Sequence, residues 1–425
     1  AEQHLANLAP AVAGVVVRAR GMSGMDCPYV PGWDCHGLPI EHKVLLELKD
    51  ANKLDKIMGL DEGPRKMAVR RECQKYAEKY HKLHTQQMTR LLTLADYEHP
   101  YLTMQPAYEA SVLEVLAGLL DQGLVYRAVK PVHWSIANET ALAEAELEYQ
   151  DRDDPSVYVD FEAAEPDRVF AAFGLDESSC PTQRPCFMIW TTTPWTLPAN
   201  LAIAVHPEVE YALVRIDGNI TIIASDLVDR VAKAGKAESV ERLATAKGGA
   251  LAGLKYTHPF MREPHGAYAA FNFAPSRPGH AMPYPALFSV VTADYVTFED
   301  GTGLVHTAPG HGTEDFQTGQ RVGLPPYCPV RGDGTYDASA PDWLKGVDIW
   351  KANEQIVQSL RESGHLFHTQ MISHSYPHDW RSKTPVIFRC TEQWFVSVDE
   401  PTRRESKSLR DLALNHVGNA HSVSF

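Results

Sequence analysis

The sequence predicts an α/β protein of more than one domain, with a helical opening half followed by a β-barrel-like α+β insertion. Three observations carry this. Up to Tyr149, apolar residues recur at helical spacing between recognisable helix starts and stops. Beyond Tyr149 the pattern turns into short apolar runs of strand length. Between two of those runs stands Asp217-Gly218, a strong hairpin signal.

The elements follow in order. Residues 1–29 read as a helix and a strand, with Ala11 to Arg20 apolar and periodic. Pro64 suits a helix start, because its fixed φ and missing donor cost nothing in the first turn. That helix is expected to run through Leu94, with Val69, Cys73, Tyr76 and Tyr80 inward. Pro106 opens another that ends at Gly123, a natural left-handed cap. Leu113, Val115, Leu116, Leu119 and Leu120 are its expected buried face. Val157–Phe161, Phe187–Trp190, Tyr211–Ile216, Ile220–Ala224, Val290–Phe298 and Gly303–Thr307 read as strands, and Lys351–Ser363 as a helix stopped by Gly364. Residues 262–285, rich in Pro, Gly, Ala and His, read as a surface loop.

Length and composition set bounds. At 425 residues the chain exceeds one typical domain. Its 44% hydrophobic and 22% charged content is that of a globular protein. No stretch nears ~20 continuous apolar residues, so no membrane partner is expected. Seven scattered cysteines without paired spacing suit a reducing compartment rather than a disulfide framework. A net charge of -14 argues against a general nucleic-acid binder. A local basic strip is available on the Pro64 helix: Arg65, Lys66, Arg70, Arg71, Lys75, Lys79 and Lys82. A solvated face with charge pairs is the other reading of it. The start at Ala1, without a methionine, suggests a piece of a longer protein.

Three segments concentrate polar chemistry. In Trp190-Thr191-Thr192-Thr193-Pro194-Trp195-Thr196-Leu197-Pro198-Ala199-Asn200, an apolar strand from Cys186 runs into three hydroxyls and a proline that stops the ladder. Each hydroxyl offers a donor and an acceptor where the strand breaks open. In Gly301–Phe316, four glycines surround a short strand, and His306 and Asp315 stand nine residues apart. Pro31–Glu41 packs Asp34, Cys35 and His36 between glycines and prolines. Alone, each has an ordinary structural reading as a strand end or a capped turn.

Together these segments resemble the class I isoleucyl-tRNA synthetases. So do Lys130–Trp134, Ala141–Glu146 and Gln393–Ser397, and the likeness runs from about Gly14 to about Leu414. The valyl and leucyl patterns for the third segment, and their Arg at the third Thr, are absent. The resemblance implies a partial Rossmann-like catalytic domain in residues 1–151, including a stalk strand. It implies an inserted editing domain in 152–372, then a return stalk and the start of the second catalytic half in 373–425. Residues 130–150 and 373–395 are then the stalk.

The resemblance also implies function. The longer parent would charge tRNA of isoleucine specificity with isoleucine, using ATP and Mg. The inserted domain would hydrolyse mischarged valyl-tRNA with no cofactor. Asp315 would hold the α-ammonium. Thr191, Thr192 and Thr193 would bind the terminal adenosine and place the water, and His306 would border the side-chain pocket. Trp33, Asp34 and His36 would line the isoleucine site. His4 is the remnant of the ATP signature, so synthesis by this chain alone is not expected. Arg404–Ser408 imitates the second ATP signature but reads as a helix start. Relatives carry a zinc-binding Cys pair where this chain has Ser135 and Asn138, and Tyr376–Trp380 lacks the matching pair. Four soft ligands are therefore missing, and hydrogen bonding or packing is expected instead of zinc. A monomer in the cytoplasm or an organelle is expected. A free-standing editing hydrolase and an inactive tRNA-binding remnant are the alternatives.

Overall fold

The structure is a computed structural model that describes residues 14–91, 93–176, 183–260 and 284–418. His4 and most of the 262–285 segment lie outside the described residues. The chain divides into two compact units, Ala1–Tyr126 with Phe395–Phe425, and Arg127–Trp394.

The first unit is mainly helical. Residues 14–22 form a helix, and the chain is then irregular up to β1 (Gly32–Trp33), so the strand expected before Tyr29 is not formed. β1 pairs in parallel with β2 (Tyr101–Leu102), which is the unit's parallel pair among the described residues. Between them lie the helices Leu38–Asp50 and Glu62–Arg90. The second starts two residues before Pro64 and ends four short of Leu94. Its basic face is partly spent on pairs: Lys66 with Glu62, Arg70 with Glu109, and Lys75 with Glu72.

The helix Pro106–Asp121 stops as expected, with Gly123 in the left-handed region at φ 74°. Its expected buried face is a correction. Leu113, Val115, Leu116 and Leu120 are exposed. The 3.6-residue pattern is present, but no described element of this unit covers that face. Only Leu119 is partly sheltered, in a groove it shares with Leu124, Leu409 and Leu412. The helix Leu409–Gly418 begins at a reciprocal cap. The Ser408 N–H donates to Asp411 Oδ2 at 3.2 Å, and the Asp411 N–H to Ser408 Oγ at 3.0 Å. That explains Arg404–Ser408 as a helix start.

The second unit is built on sheets. In order they use β3 (Val125–Ser135), β4 (Thr140–Leu142), β5 (Leu147–Glu162), β6 (Cys186–Thr191), β7 (Ala202–Val205), β8 (Glu210–Ile216), β9 (Asn219–Ala224), β10 (Val240–Lys247), β11 (Ser289–Thr292), β12 (Leu304–Thr307), β13 (Leu366–Asp379) and β14 (Val386–Val396). One sheet runs β10-β8-β9-β6-β5-β13, a second β11-β7-β12, and a third β14-β3-β4. All three are open, so the barrel-like expectation is not met by a closed barrel among the described residues. The β8–β9 hairpin turns at Asp217 and Gly218, with φ 47° and 88°, the two positive values that a type I′ turn needs. β13 pairs antiparallel with β5 from Leu366↔Val159 to Asp379↔Leu147, a longer ladder than the sequence suggested.

The core explains the strand pattern. Phe161, Phe187, Ile189, Leu213 and Ile222 are fully buried in one hydrophobic core together with Ile356 and Leu360 of the helix Ile349–Glu362. Asp348 caps that helix by accepting from the Trp350 and Lys351 N–H groups. β7 is buried at every position, so it lacks the alternation that marks a half-exposed strand.

Candidate functional site

The Thr segment ends β6 and passes into a 3₁₀ helix, Pro194–Ala199. Pro194 cannot continue the ladder, which leaves the hydroxyls at its broken end. Thr191 is buried, and Thr192 and Thr193 are partly exposed. Thr191 Oγ1 accepts from the Thr193 N–H at 3.2 Å and lies 3.1 Å from Thr193 Oγ1. Thr193 Oγ1 lies 3.3 Å from Thr196 Oγ1.

The chain of contacts continues into β12. Thr196 Oγ1 is 2.8 Å from His306 Nε2, and Asn200 Nδ2 is 3.0 Å from His306 Nδ1. The antiparallel pairing of β12 with β7, His306 opposite Ile203, brings this about. Asn200 Nδ2 also faces the Ala202 carbonyl at 2.9 Å, and Tyr256 donates its hydroxyl to Asn200 Oδ1. A carbonyl can only accept, so the amide orientation is fixed. Burial lowers the imidazole's pKa to about 3, with His258 and His311 adding to the effect. His306 is therefore a neutral wall of the site rather than its acid or base.

Asp315 sits in the first turn of the helix Thr313–Val322. Its Oδ2 accepts from the Ala308 N–H at 2.8 Å, and its Oδ1 from the Tyr295 hydroxyl at 3.3 Å. Burial raises its pKa to about 6, against the lowering effect of these two donors. The group is an anion at neutral pH with little solvation, a suitable seat for an ammonium. His311 stands between the two halves of the site. Its ring meets Trp195 edge to face at 5.2 Å, and its charge acts on both His306 and Asp315.

In the first unit, Asp34 Oδ1 accepts from the His36 N–H at 3.3 Å and from Thr103 Oγ1 at 3.4 Å. The Thr103 hydroxyl also accepts from the Cys35 N–H at 2.7 Å. Trp33 packs edge to face on His81 at 4.6 Å. A cavity of about 730 Å³ opens beside them, lined by His36, Ile40, Glu41, Arg65, Arg70 and others. Of the three expected residues, it takes only His36 into its wall.

At the expected zinc position, Asp379 accepts from Ser135 Oγ and Asn138 Nδ2, each at 2.7 Å, and from Ser382 Oγ at 2.9 Å. The Arg381 N–H donates to its other oxygen at 2.9 Å. Burial acts to raise its pKa, but these bonds outweigh it and hold the carboxyl below the usual range. Hydroxyl and amide donors turned toward one carboxylate do not fit a zinc site, whose ligands must face the ion. Among the described residues, no group of three or more His, Cys, Asp or Glu is placed to hold a metal.

Sequence reasoning missed several contributors. Thr196 and Asn200 were in view within the Thr segment but had no role there. Tyr256, Tyr295 and Thr103 come from distant segments, and nothing local marks them. No described helix is long and apolar enough to cross a membrane.

A family model described as tRNA synthetases class I (I, L, M and V) matches residues 3–424. The isoleucine–tRNA ligase of Kosmotoga olearia is 43% identical over 403 residues, 95% of this chain and 38% of that protein. That of Nitratidesulfovibrio vulgaris is 42% identical over 405 residues, again 95% and 38%. The chain thus spans about 38% of the length of these curated relatives. Among solved structures, the editing domain of Plasmodium knowlesi cytosolic leucyl-tRNA synthetase is a distant likeness. It has a TM-score of 0.38 and 11% identity, covering 52% of this chain and 97% of that one.

Proposed function

The chain belongs to the class I tRNA synthetase family, and on that premise we propose that it is a segment of an isoleucine–tRNA ligase whose second unit edits valyl-tRNA. The longer protein would charge tRNA of isoleucine specificity, with ATP and Mg serving the adenylation step. His4, the remnant of the ATP signature, and Trp33, Asp34 and His36 would belong to that half. Residues 152–372 would be the editing domain, with the outer parts of β5 and β13 in its stalk. It would act as a monomer, in the cytoplasm or in an organelle that makes protein.

The observation that carries the editing reading is Asp315 with its two donors, joined through Ala308, His311 and Trp195 to the chain of Thr191, Thr193, Thr196 and His306. Valine and isoleucine differ by one methylene, and a single apolar pocket separates them weakly; the aminoacyl-tRNA synthetases are the standard illustration of that limit. A second pocket that admits only the smaller ester answers the problem.

Asp315 would pair with the α-ammonium of the valyl ester and fix its orientation. Thr191, Thr192 and Thr193 would hold the terminal adenosine and place a water near the ester carbonyl. The water oxygen bonds to the carbonyl carbon and gives up a proton, the bond from that carbon to the ribose oxygen breaks, and the departing ribose oxygen takes up a proton to become a hydroxyl. His306, neutral and pinned, would limit the side-chain volume. No protein nucleophile or metal is required by this scheme, since placement and polarisation of water suffice for an ester. The test is deacylation by the purified chain. Release of valine from valyl-tRNA with sparing of isoleucyl-tRNA supports the reading, and equal treatment of the two removes it.

A further inference from the structure

Every residue of the 3₁₀ helix Pro194–Ala199 is buried. Pro194 has no N–H, so the first backbone donor of that helix belongs to Trp195, and a donor so near a helix start has no acceptor within the helix. Thr193, the residue before the helix, is of the type that ordinarily caps such a donor with its own hydroxyl. It makes no such cap here. Its Oγ1 is turned to the hydroxyls of Thr191 and Thr196, at 3.1 and 3.3 Å. The Trp195 N–H donates instead to Oδ1 of Asn353 at 3.0 Å, across 158 residues of chain. Asn353 is buried in the helix Ile349–Glu362. Trp350 stands three residues before it, on the same face, and sets its ring edge to face against Trp195 at 6.1 Å. That helix therefore holds Trp195 by its ring and by its backbone N–H. Other side chains hold the carbonyls: the Tyr336 hydroxyl donates to Trp195, and His258 Nε2 lies 3.1 Å from the Leu197 carbonyl.

We propose that Asn353 is a positioning residue of the editing site: by capping the Trp195 N–H from outside the segment, it releases the Thr193 hydroxyl to face the substrate. A buried N–H left without an acceptor is costly, so some group must take it. With Asn353 in place, Thr193 keeps its hydroxyl in line with Thr191 and Thr196. Without that acceptor, rotation about χ1 lets Thr193 cap the Trp195 N–H, the bond its chain position favours. Its hydroxyl then leaves the line, and the water it helps to place loses a partner. Asn353 touches neither substrate nor water in this scheme and acts only through Thr193. The inference rests on the editing reading, which gives Thr193 its part in placing the water.

The test is a double-mutant cycle on valine release from valyl-tRNA of isoleucine specificity, using the full chain with native circular dichroism as the entry condition. Asn353→Leu should lower kcat by about 10- to 100-fold, the cost of a misplaced catalytic group, with little change in KM. Asn353→Asp keeps an acceptor oxygen and should retain the greater part of the rate. Thr193→Ala combined with Asn353→Leu should be no slower than the slower single variant, because both remove the same hydroxyl from the site. Asn353→Ala takes the place of the leucine variant if that one does not fold. Hydrogen exchange at the Trp195 amide, slow in the wild type and faster in Asn353→Leu, reads the cap without reference to activity. An active wild type whose kcat survives Asn353→Leu, or costs that simply add in the double variant, would overturn the proposal and leave the editing reading standing. A wild type that releases no valine overturns the editing reading and this role with it.

Discussion

Asn200 donates its amide hydrogen to Nδ1 of His306 across 3.0 Å, and this contact decides which nitrogen of the imidazole is protonated. The Ala202 carbonyl fixes the amide, so Nδ1 must accept and Nε2 must carry the proton. Nε2–H then donates to Thr196 Oγ1, whose own hydrogen goes to the Thr193 carbonyl at 2.9 Å. Every donor in this line has one acceptor, consistent with a neutral ring.

The first prediction is that His306 stays neutral, as the Nε2–H form, from pH 8 to pH 5. Nitrogen-15 NMR of the labelled ring would read it directly. The folded pKa of about 3 lies below the ordinary histidine value. The unfolded chain therefore takes up the proton first on acidification. The contribution of His306 to stability is full above the unfolded pKa of ~6.5 and falls as pH drops below it. A ring that titrates between pH 6 and 7 in the folded protein contradicts the network.

The second concerns Asp315. Its carboxylate must be ionised to hold an ammonium, and burial raises its pKa to about 6. Deacylation should fall as pH drops through about 6. Folding linkage runs in the opposite direction: the folded pKa is raised, so the stability contribution is full below the unfolded value and is lost as pH rises through about 6. Tyr295→Phe removes one of the two donors to the anion, so the acid limb of kcat/KM should move to higher pH. An unchanged limb would mean that Tyr295 merely packs there.

The third concerns the Asp379 network. Asp379→Ala leaves Ser135 Oγ, Asn138 Nδ2 and Ser382 Oγ without their shared acceptor. Lost charge-assisted bonds cost about 1.5–3 kcal/mol, which urea unfolding can measure. Because the folded carboxyl is held below its usual range, its stabilisation is present above the unfolded pKa and is lost as pH falls through the folded one. Elemental analysis of the wild-type chain should find far less than one zinc per chain. Stoichiometric zinc, or no change in stability in the variant, would contradict this account of the site.

Much of the second unit was legible in the sequence. β6, β8, β9 and the helix Ile349–Glu362 each announce themselves by an apolar run or period with a turn or cap residue beside it. β7 and β10 were not legible. β7 is buried throughout and has no alternation, while β10 is an edge strand with a register shift between Arg242 and Ala244. The Thr segment and the His306–Asp315 loop declared their polar character, but their joining depends on the β7–β12 register, which is tertiary. The helix Pro106–Asp121 shows the reverse failure. Its period is real, yet burial is a property of neighbours, and in the described unit Leu113 and Val115 stay exposed.

The central claim is that Asp315 anchors the ammonium of a valyl ester, and one comparison tests it most directly. The rate of valine release from valyl-tRNA is measured for the wild-type chain and for Asp315→Ala, at tRNA occupancies shown to be equal by a separate binding assay. Loss of a charge-assisted contact worth about 1.5–3 kcal/mol predicts a rate lower by roughly 10- to 150-fold. A variant that deacylates as fast as the wild type, or a wild type that leaves bound valyl-tRNA intact, would contradict it.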